Sequence, residues 1–331
     1  MNRKIKQALT FSSMMSCFIA TTLFGDSVNN KSNTSYATPK IKNPSEESPL
    51  NYYIGAYYTY WAPYVENSAV AYADGTAIIQ GSQIFPDFTA QSGFKISAGA
   101  NTRHDGWVLG LNYAWFNNQP SLKTTHLSNL DYISYFPSSP TTLYNAFETQ
   151  FKNQFNRIDA QLDWSFFSGQ YFTFRRWLGI LAAWDQESLN VYQTTTTDQI
   201  QAVNVDQNWW GIGPYTGGEG AFYFTNTFCG FISSGVGMLL TNHKVTTGSL
   251  NVDSNHVTTA VLSNMFTEYN NMEPMLEASL GVRWEETWPN WGLCIDLTWE
   301  TQTYFSHIFL SQVSAGNYSM QGLTLGATIS F

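Results

Sequence analysis

The sequence predicts an all-β fold: a transmembrane antiparallel up-and-down β-barrel of about ten strands, with short turns at one end and long loops at the other. Several segments alternate apolar and polar residues with a period of two, as strands with one apolar face do. Of the 331 residues only 12% are charged and 16% are aromatic, whereas globular chains average about 25% charged. The mean hydropathy of −0.22 is too polar for a helical membrane protein, but a barrel needs apolar residues only at alternate positions.

The N-terminal residues predict export. Arg3, Lys4 and Lys6 precede the uncharged stretch 8–25, which is the pattern of a signal peptide that is removed on maturation. We therefore place a signal peptide at residues 1–25 and expect the protein in the outer membrane of a Gram-negative cell. Cleavage after Ala37 stays open.

A polar leader follows the predicted signal. Residues 26–50 are rich in Pro, Ser and Asn and are interpreted as flexible, which leaves 51–331 for the barrel. Loss of the signal removes three of the 15 basic residues and none of the 24 acidic ones, and so moves the net charge from −9 to −12. This charge argues against nucleic-acid binding.

Ten strands are predicted from the alternation. In the last one, Leu323, Leu325, Ala327, Ile329 and Phe331 share one face. The predicted strands are 51–62, 89–101, 105–117, 152–167, 171–193, 207–224, 228–244, 266–287, 291–307 and 318–331.

The links between these strands alternate in length, and an even strand count puts both chain ends on the side of the short turns, the periplasmic side of such barrels. Twelve strands stay open, because 69–80 could form another hairpin. The uncharged run 220–242 is long enough for a membrane helix, but its glycines favour a hairpin. The tight links are 102–105, 168–170, 225–227 and 288–290, and the long links are 63–88, 118–151, 194–206, 245–265 and 308–317.

Several segments carry a family resemblance: "YYTYWAPY" (57–64), "FPDFTAQSGFKISAGANTRHDGWVLGLNYAWF" (85–116), "NRIDAQLDW" (156–164) and "WWGIGPYTG" (209–217). Together with Phe331 they resemble the Legionella-type major outer membrane protein family, which also occurs in chlamydia-like bacteria. The resemblance implies a porin for passive diffusion of small hydrophilic solutes and ions. The terminal Phe331 also resembles the signal that the outer-membrane assembly machinery reads.

The candidates for a pore lining are the charged residues that alternation turns inward. Seven of the ten are acidic, so a mild cation preference is a hypothesis. The alternatives are a narrow lumen plugged by pairing of these charges, giving a structural barrel, and a surface adhesin that uses loops 63–88 and 118–151. The ten candidates are Lys95, Arg157, Asp159, Asp163, Glu219, Glu277, Arg283, Glu285, Asp296 and Glu300.

An enzyme is not expected, nor is a cofactor or a metal. His243 and His307 lie near outer strand ends, but no acidic residue follows or precedes them at a spacing that would indicate a catalytic pair. His104, His126 and His256 lie in predicted turns or loops. The sequence contains no G-x-S-x-G, H-E-x-x-H or Gly-rich phosphate loop.

Cys229 and Cys294 are both expected to face the lumen near the short turns. Their predicted strands are not neighbours, so two free thiols are the default prediction. A disulfide to another envelope protein is the rarer alternative. The other expected partners are outer-membrane lipid and the assembly machinery, and a homo-oligomer is left open.

Overall fold

The structure is a computed structural model that describes residues 52–66, 71–74, 83–84, 88–102, 107–118, 123–126, 131–134, 144–167, 171–195, 200–252, 258–308 and 316–331. The predicted signal peptide and leader lie outside these ranges, as do His104 and His256. In the described part of the chain, no α-helix is long and apolar enough to cross a membrane.

Fourteen strands occur among the described residues. They are β1 (Tyr52–Val65), β2 (Ala71–Asp74), β3 (Gln83–Ile84), β4 (Gln91–Asn101), β5 (Trp107–Asn118), β6 (Lys123–His126), β7 (Asp131–Ser134), β8 (Tyr144–Phe167), β9 (Phe172–Thr195), β10 (Ile200–Tyr223), β11 (Phe228–Val252), β12 (Thr258–Trp288), β13 (Trp291–Ile308) and β14 (Gly316–Ser330).

Ten of these strands form a closed antiparallel ring. Its order is β8-β5-β4-β1-β14-β13-β12-β11-β10-β9, and β9 pairs again with β8. The first and last ring strands of the chain are also paired, from Tyr53 opposite Ser330 to Val65 opposite Tyr318. Closure leaves no unpaired strand edge, which a barrel in lipid requires. The predicted ten-stranded barrel is confirmed.

The twelve-strand alternative is wrong. The segment 69–80 contains β2, which pairs with β3 and β7 and not with a ring strand. Strand β7 joins the start of β8 through Tyr132 opposite Tyr144, and β6 pairs with β8. The four short strands therefore extend the sheet from β8 and are not members of the ring.

The predicted tight links at 225–227 and 288–290 are confirmed, since they join the paired strands β10 and β11, and β12 and β13. The predicted links 102–105 and 168–170 lie almost wholly outside the described residues, but the strands that flank them, β4 and β5, and β8 and β9, are paired antiparallel. We call this end of the barrel the turn end and the opposite end the loop end. In the turn at 224–227, the Phe224 N–H donates to the Phe228 carbonyl at 3.0 Å. The uncharged run 220–242 is a hairpin of β10 and β11, as expected, and not a helix.

The predicted long links 194–206 and 245–265 are wrong in extent. Strand β9 runs to Thr195 and β10 resumes at Ile200, while β11 runs to Val252 and β12 begins at Thr258. Antiparallel pairing satisfies backbone groups whatever the side chains are. The ladders therefore continue into polar sequence, where the apolar alternation that marks a strand is absent.

The outer face of the ring carries an apolar belt, in which large aliphatic side chains are about half exposed. Their alternate neighbours point inward and are buried, for example Thr324 between the exposed Leu323 and Leu325. A belt of this kind is what the hydrocarbon of a membrane contacts. Its members include Ile54, Ile96, Leu109, Leu111, Leu162, Leu178, Ile180, Ile212, Ile232, Val236, Leu240, Leu280, Leu297, Leu323, Leu325 and Ile329.

The hydrophobic core lies inside the ring. Nine of the ten ring strands contribute to its main cluster of buried side chains, and a smaller cluster on β10 and β11 contains Ala221, Tyr223, Cys229 and Phe231. Buried charged side chains share this interior. The fold thus places both its core and its ionisable groups within the lumen, where any site must be sought.

Candidate functional site

The interior contains a charged cluster toward the turn end, with four basic and five acidic side chains. They line a cavity of about 210 Å³ together with polar residues. Alternation along the ring strands places them there, since each occupies an inward position of its strand. The members of the charged cluster are Lys95, Arg157, Asp159, Arg175, Glu219, Glu277, Arg283, Asp296 and Glu300.

One half of the charged cluster is held by Lys95 and Arg157. Lys95 Nζ lies 2.8 Å from Glu300 Oε1 and connects β4 to β13. Arg157 on β8 contacts Asp159 Oδ1 at 3.1 Å and Glu277 Oε2, on β12, at 2.5 Å. The Lys95–Glu300 and Arg157–Glu277 pairs join strands that are not adjacent in the ring, so both pairs cross the lumen.

The other half is centred on Glu219 and Arg283. Arg283 Nη1 lies 2.9 Å from Glu219 Oε1, and Arg283 Nε lies 2.6 Å from Asp296 Oδ1. Arg175 Nη2 contacts Glu219 Oε2 at 3.2 Å. Every basic side chain of the charged cluster is thus paired with a carboxylate, as buried charges require.

All ten of the sequence-predicted lining residues lie on the inner face. Eight of them belong to the charged cluster. Asp163 and Glu285 lie nearer the turn end, where Asp163 accepts from Gln161 Nε2 at 3.4 Å and Glu285 accepts from the Tyr223 hydroxyl at 3.4 Å. The lining role itself stays a prediction, because inward placement does not by itself create a path for solutes.

An apolar cluster lies inside the ring beside the charged cluster. Each ring strand except β4 contributes one side chain to this cluster, and each of these nine side chains is at most 2% exposed. Strands β8 and β13 are opposite each other, five strands apart in either direction, yet the Phe155 and Tyr304 rings are only 5.5 Å apart between centroids. The members are Trp61, Phe116, Phe155, Leu181, Trp209, Leu239, Met275, Tyr304 and Tyr318.

A histidine–carboxylate cluster lies on the loop-end side of the apolar cluster. It consists of Asp185, Glu187, His243, Glu273 and His307, each at most 3% exposed. His307 lies between two acids, with Nε2 3.3 Å from Asp185 Oδ2 and Nδ1 3.4 Å from Glu273 Oε2. His243 Nε2 contacts Glu273 Oε1.

Aromatic residues enclose this histidine–carboxylate cluster. Trp209 Nε1 donates to Glu273 Oε2 at 3.1 Å, and the Trp209 ring lies 4.4 Å from the His307 ring between centroids. The Tyr269 ring stacks on His243 at 4.6 Å. The two histidines are therefore interior residues and not exposed strand-end residues.

The sequence reasoning missed Arg175, Asp185, Glu187 and Glu273 as interior groups. A signal was present, because Glu273 has the same parity as Glu277 on β12, and Asp185 and Glu187 have the same parity as the buried Leu181 on β9. No acidic residue lies close to His307 in the sequence, and this absence was misleading. The acidic neighbours of His307 are Asp185 on β9 and Glu273 on β12.

The two cysteines face the interior near the turn end, and both are free thiols. Cys229 on β11 is fully buried. Cys294 on β13 is partly buried, with Sγ 3.6 Å from Asp296 Oδ2. They lie on strands separated by β12, as the alternation predicts.

A closed ring with an apolar outer belt and a polar, aromatic interior defines the protein as an integral membrane β-barrel. Residues 42–331 match the family described as Legionella pneumophila major outer membrane protein precursor. The chain belongs to this family, and its place is the outer membrane. The resemblance seen in the sequence is thereby confirmed.

Comparison with solved structures shows similarity to other outer-membrane proteins. The outer membrane protease OmpT from Escherichia coli has 10% identity and a TM-score of 0.48, over 87% of this chain and all of that one. Ail, the attachment invasion locus protein of Yersinia pestis, has 10% identity and a TM-score of 0.25, over 85% and 99%. The toluene transporter TodX of Pseudomonas putida has 8% identity and a TM-score of 0.23, over 87% and 90%. No curated protein matches the chain.

Proposed function

We propose that this protein is a structural outer-membrane barrel whose lumen is closed by its own side chains and whose extended loop end is presented at the cell surface. The contact between Phe155 and Tyr304 supports this proposal most directly, because it joins opposite walls of the ring. A ten-stranded barrel is only slightly wider than the eight-stranded barrels that side chains fill.

A small-bore porin is the second candidate function, and the charged cluster favours it. Its cavity of about 210 Å³ is lined by ionisable side chains, and charges within a membrane-spanning protein are costly unless they pair or serve transport. Five acids face four bases, so any current through this cluster would prefer cations only weakly. Passage would require the apolar cluster to open.

We infer that the protein is not an enzyme. His243 and His307 are fully buried, so a substrate would not reach them without rearrangement of the aromatic residues around them. Adhesion through loops 63–88 and 118–151 stays a prediction for the surface role. Removal of residues 1–25 as a signal peptide is likewise proposed, and N-terminal sequencing of the mature protein tests it.

Single-channel recording in planar bilayers tests the closed lumen. The full chain, refolded in detergent and inserted, is expected to give no discrete conductance steps. Phe155→Ala removes the ring that bridges the walls and is expected to give steps or a raised leak. Phe266→Ala, which truncates an outward-facing ring of 62% exposure, is the matched control and is expected to behave like the parent.

Discrete conductance steps from the parent protein would overturn the closed-lumen proposal and support the porin. Cation-to-anion selectivity measured on such steps would then locate the path. Substitution of Glu300 or Lys95 would shift the selectivity only if ions pass through the charged cluster.

A further inference from the structure

Two carboxylates and an imidazole converge in the loop half of the barrel. Asp185 and Glu187 lie two residues apart on β9, and His307 comes from β13. One ligand atom from each residue can be chosen so that all three atoms lie within 4.8 Å of one another. All three residues are buried, at 1%, 3% and 0% exposure.

The local charge is unbalanced. Glu273 adds a third buried carboxylate, against two imidazoles. Among the described ion pairs, neither Lys nor Arg contacts Asp185, Glu187 or Glu273. Buried carboxylates are costly unless they are paired or bind a metal, so this part of the lumen favours a cation.

One atom of this group has no hydrogen-bond partner. Glu187 Oε2 is buried without any partner among the described residues, while Glu187 Oε1 accepts from Asn153 Nδ2 at 3.3 Å. Because a Glu187 ligand atom lies within 4.8 Å of ligand atoms of Asp185 and His307, a cation held by the three residues would supply a partner for the Glu187 carboxylate.

The surroundings orient the three donors. His307 Nδ1 is 3.4 Å from Glu273 Oε2, which leaves Nε2 directed at Asp185. Asn153 Nδ2 donates to Asp185 Oδ1 at 2.8 Å and Oδ2 at 3.0 Å. A ligating histidine held by a carboxylate through its other nitrogen, and ligating carboxylates held by hydrogen bonds, are the usual supports of a metal site.

We propose that Asp185, Glu187 and His307 bind a divalent transition-metal cation, with Zn²⁺ as the best match. Zinc takes nitrogen and oxygen ligands at about 2.0–2.2 Å in a tetrahedron, so neighbouring ligand atoms are about 3.3 Å apart. The 3.3 Å between His307 Nε2 and Asp185 Oδ2 equals that separation. A mixed imidazole and carboxylate set also suits Zn²⁺ better than Mg²⁺ or Ca²⁺.

The ion would link β9 to β13 across the lumen and leave a fourth coordination position for water. The inference does not depend on whether the barrel conducts ions.

Zinc binding by the full chain tests the site. Protein refolded in detergent with a chelator is exchanged into buffer, incubated with Zn²⁺, passed over a desalting column and assayed for bound metal. We expect about one Zn²⁺ per chain and a higher Tm with Zn²⁺ than with chelator. We expect Mn²⁺ and Mg²⁺ to compete weakly.

Four variants assign the binding. Glu187→Gln and His307→Gln are expected to lose the bound ion and the Tm shift. Glu273→Gln, a positioning change, is expected to weaken Zn²⁺ binding by about 10–100-fold. Glu268→Gln removes a carboxylate of β12 that is 44% exposed and is the matched control, expected to bind as the parent does.

Heat-modifiable migration on gels checks that each variant is folded. The absence of stoichiometric Zn²⁺ on the parent protein overturns the proposal without any variant. Binding that survives in folded Glu187→Gln and His307→Gln overturns it as well, because the metal would then lie elsewhere.

Discussion

Arg157 provides the sharpest measure of how dry the barrel interior is. Its side chain is 7% exposed and contacts Asp159 at 3.1 Å and Glu277 at 2.5 Å. Unit charges 4 Å apart attract by about 4 kcal/mol at an effective dielectric constant of 20. Removing one partner of such a buried pair costs about 3–5 kcal/mol, because it leaves a buried charge uncompensated. We expect Arg157→Met to lower the free energy of unfolding by that amount.

Urea unfolding in detergent micelles, followed by tryptophan fluorescence, measures this loss. The double variant Arg157→Met with Glu277→Gln is expected to cost less than the sum of the two single variants, with a coupling of about 0.5–3 kcal/mol. Lys244→Met is the control, since the Lys244–Glu268 pair is 50% and 44% exposed at 3.5 Å.

The exposed control pair should contribute about 0.2–1 kcal/mol. A loss of that same small size for Arg157→Met would refute the reasoning. It would mean that water reaches the charged cluster freely and that the lumen is open at this level.

Three further changes test other parts of the barrel by the same unfolding assay. Leu280→Arg puts a charge on the apolar belt at a side chain of 65% exposure and should cost about 2–4 kcal/mol; an equal cost for Leu280→Ala would contradict a lipid-facing position. Gly326→Ala would place a Cβ against the Tyr57 ring and should cost about 1–3 kcal/mol by overpacking; a neutral result would show that the Tyr57 ring is free to move aside. Trp209→Phe removes the hydrogen bond to Glu273 and should cost about 1–3 kcal/mol, and a neutral result would show that water replaces the indole N–H.

The sequence was most informative where lipid is the outer solvent. In β14 the exposed Leu323, Leu325 and Ile329 alternate with residues that face inward, and this contrast exists because one face meets hydrocarbon. Beyond the belt both faces carry small or polar residues, as in "TTGS" at 246–249, and the period-two signal is lost. The strand ends toward the loop end could not be predicted for this reason.

The sequence predicts which charged residues lie in the interior, but not which of them contact one another. Parity indicated which charges turn inward, including Arg157 and Glu277. Their contact joins β8 to β12 across the ring, and such a partner depends on the stagger of the closed barrel, which no local pattern encodes. Asp185, Glu187 and His307 meet for the same reason, which is why alternation alone did not reveal a metal site.

The pairing of β1 with β14 also has a consequence for biogenesis. Tyr53 lies opposite Ser330, so the ring stays open until nearly the whole described chain has emerged, and contacts of such long range form slowly. An incomplete chain would present two unpaired edges to lipid, which the hydrocarbon does not tolerate. Insertion and closure are therefore expected to be a single late event, and the partly exported chain must be kept from aggregating until then.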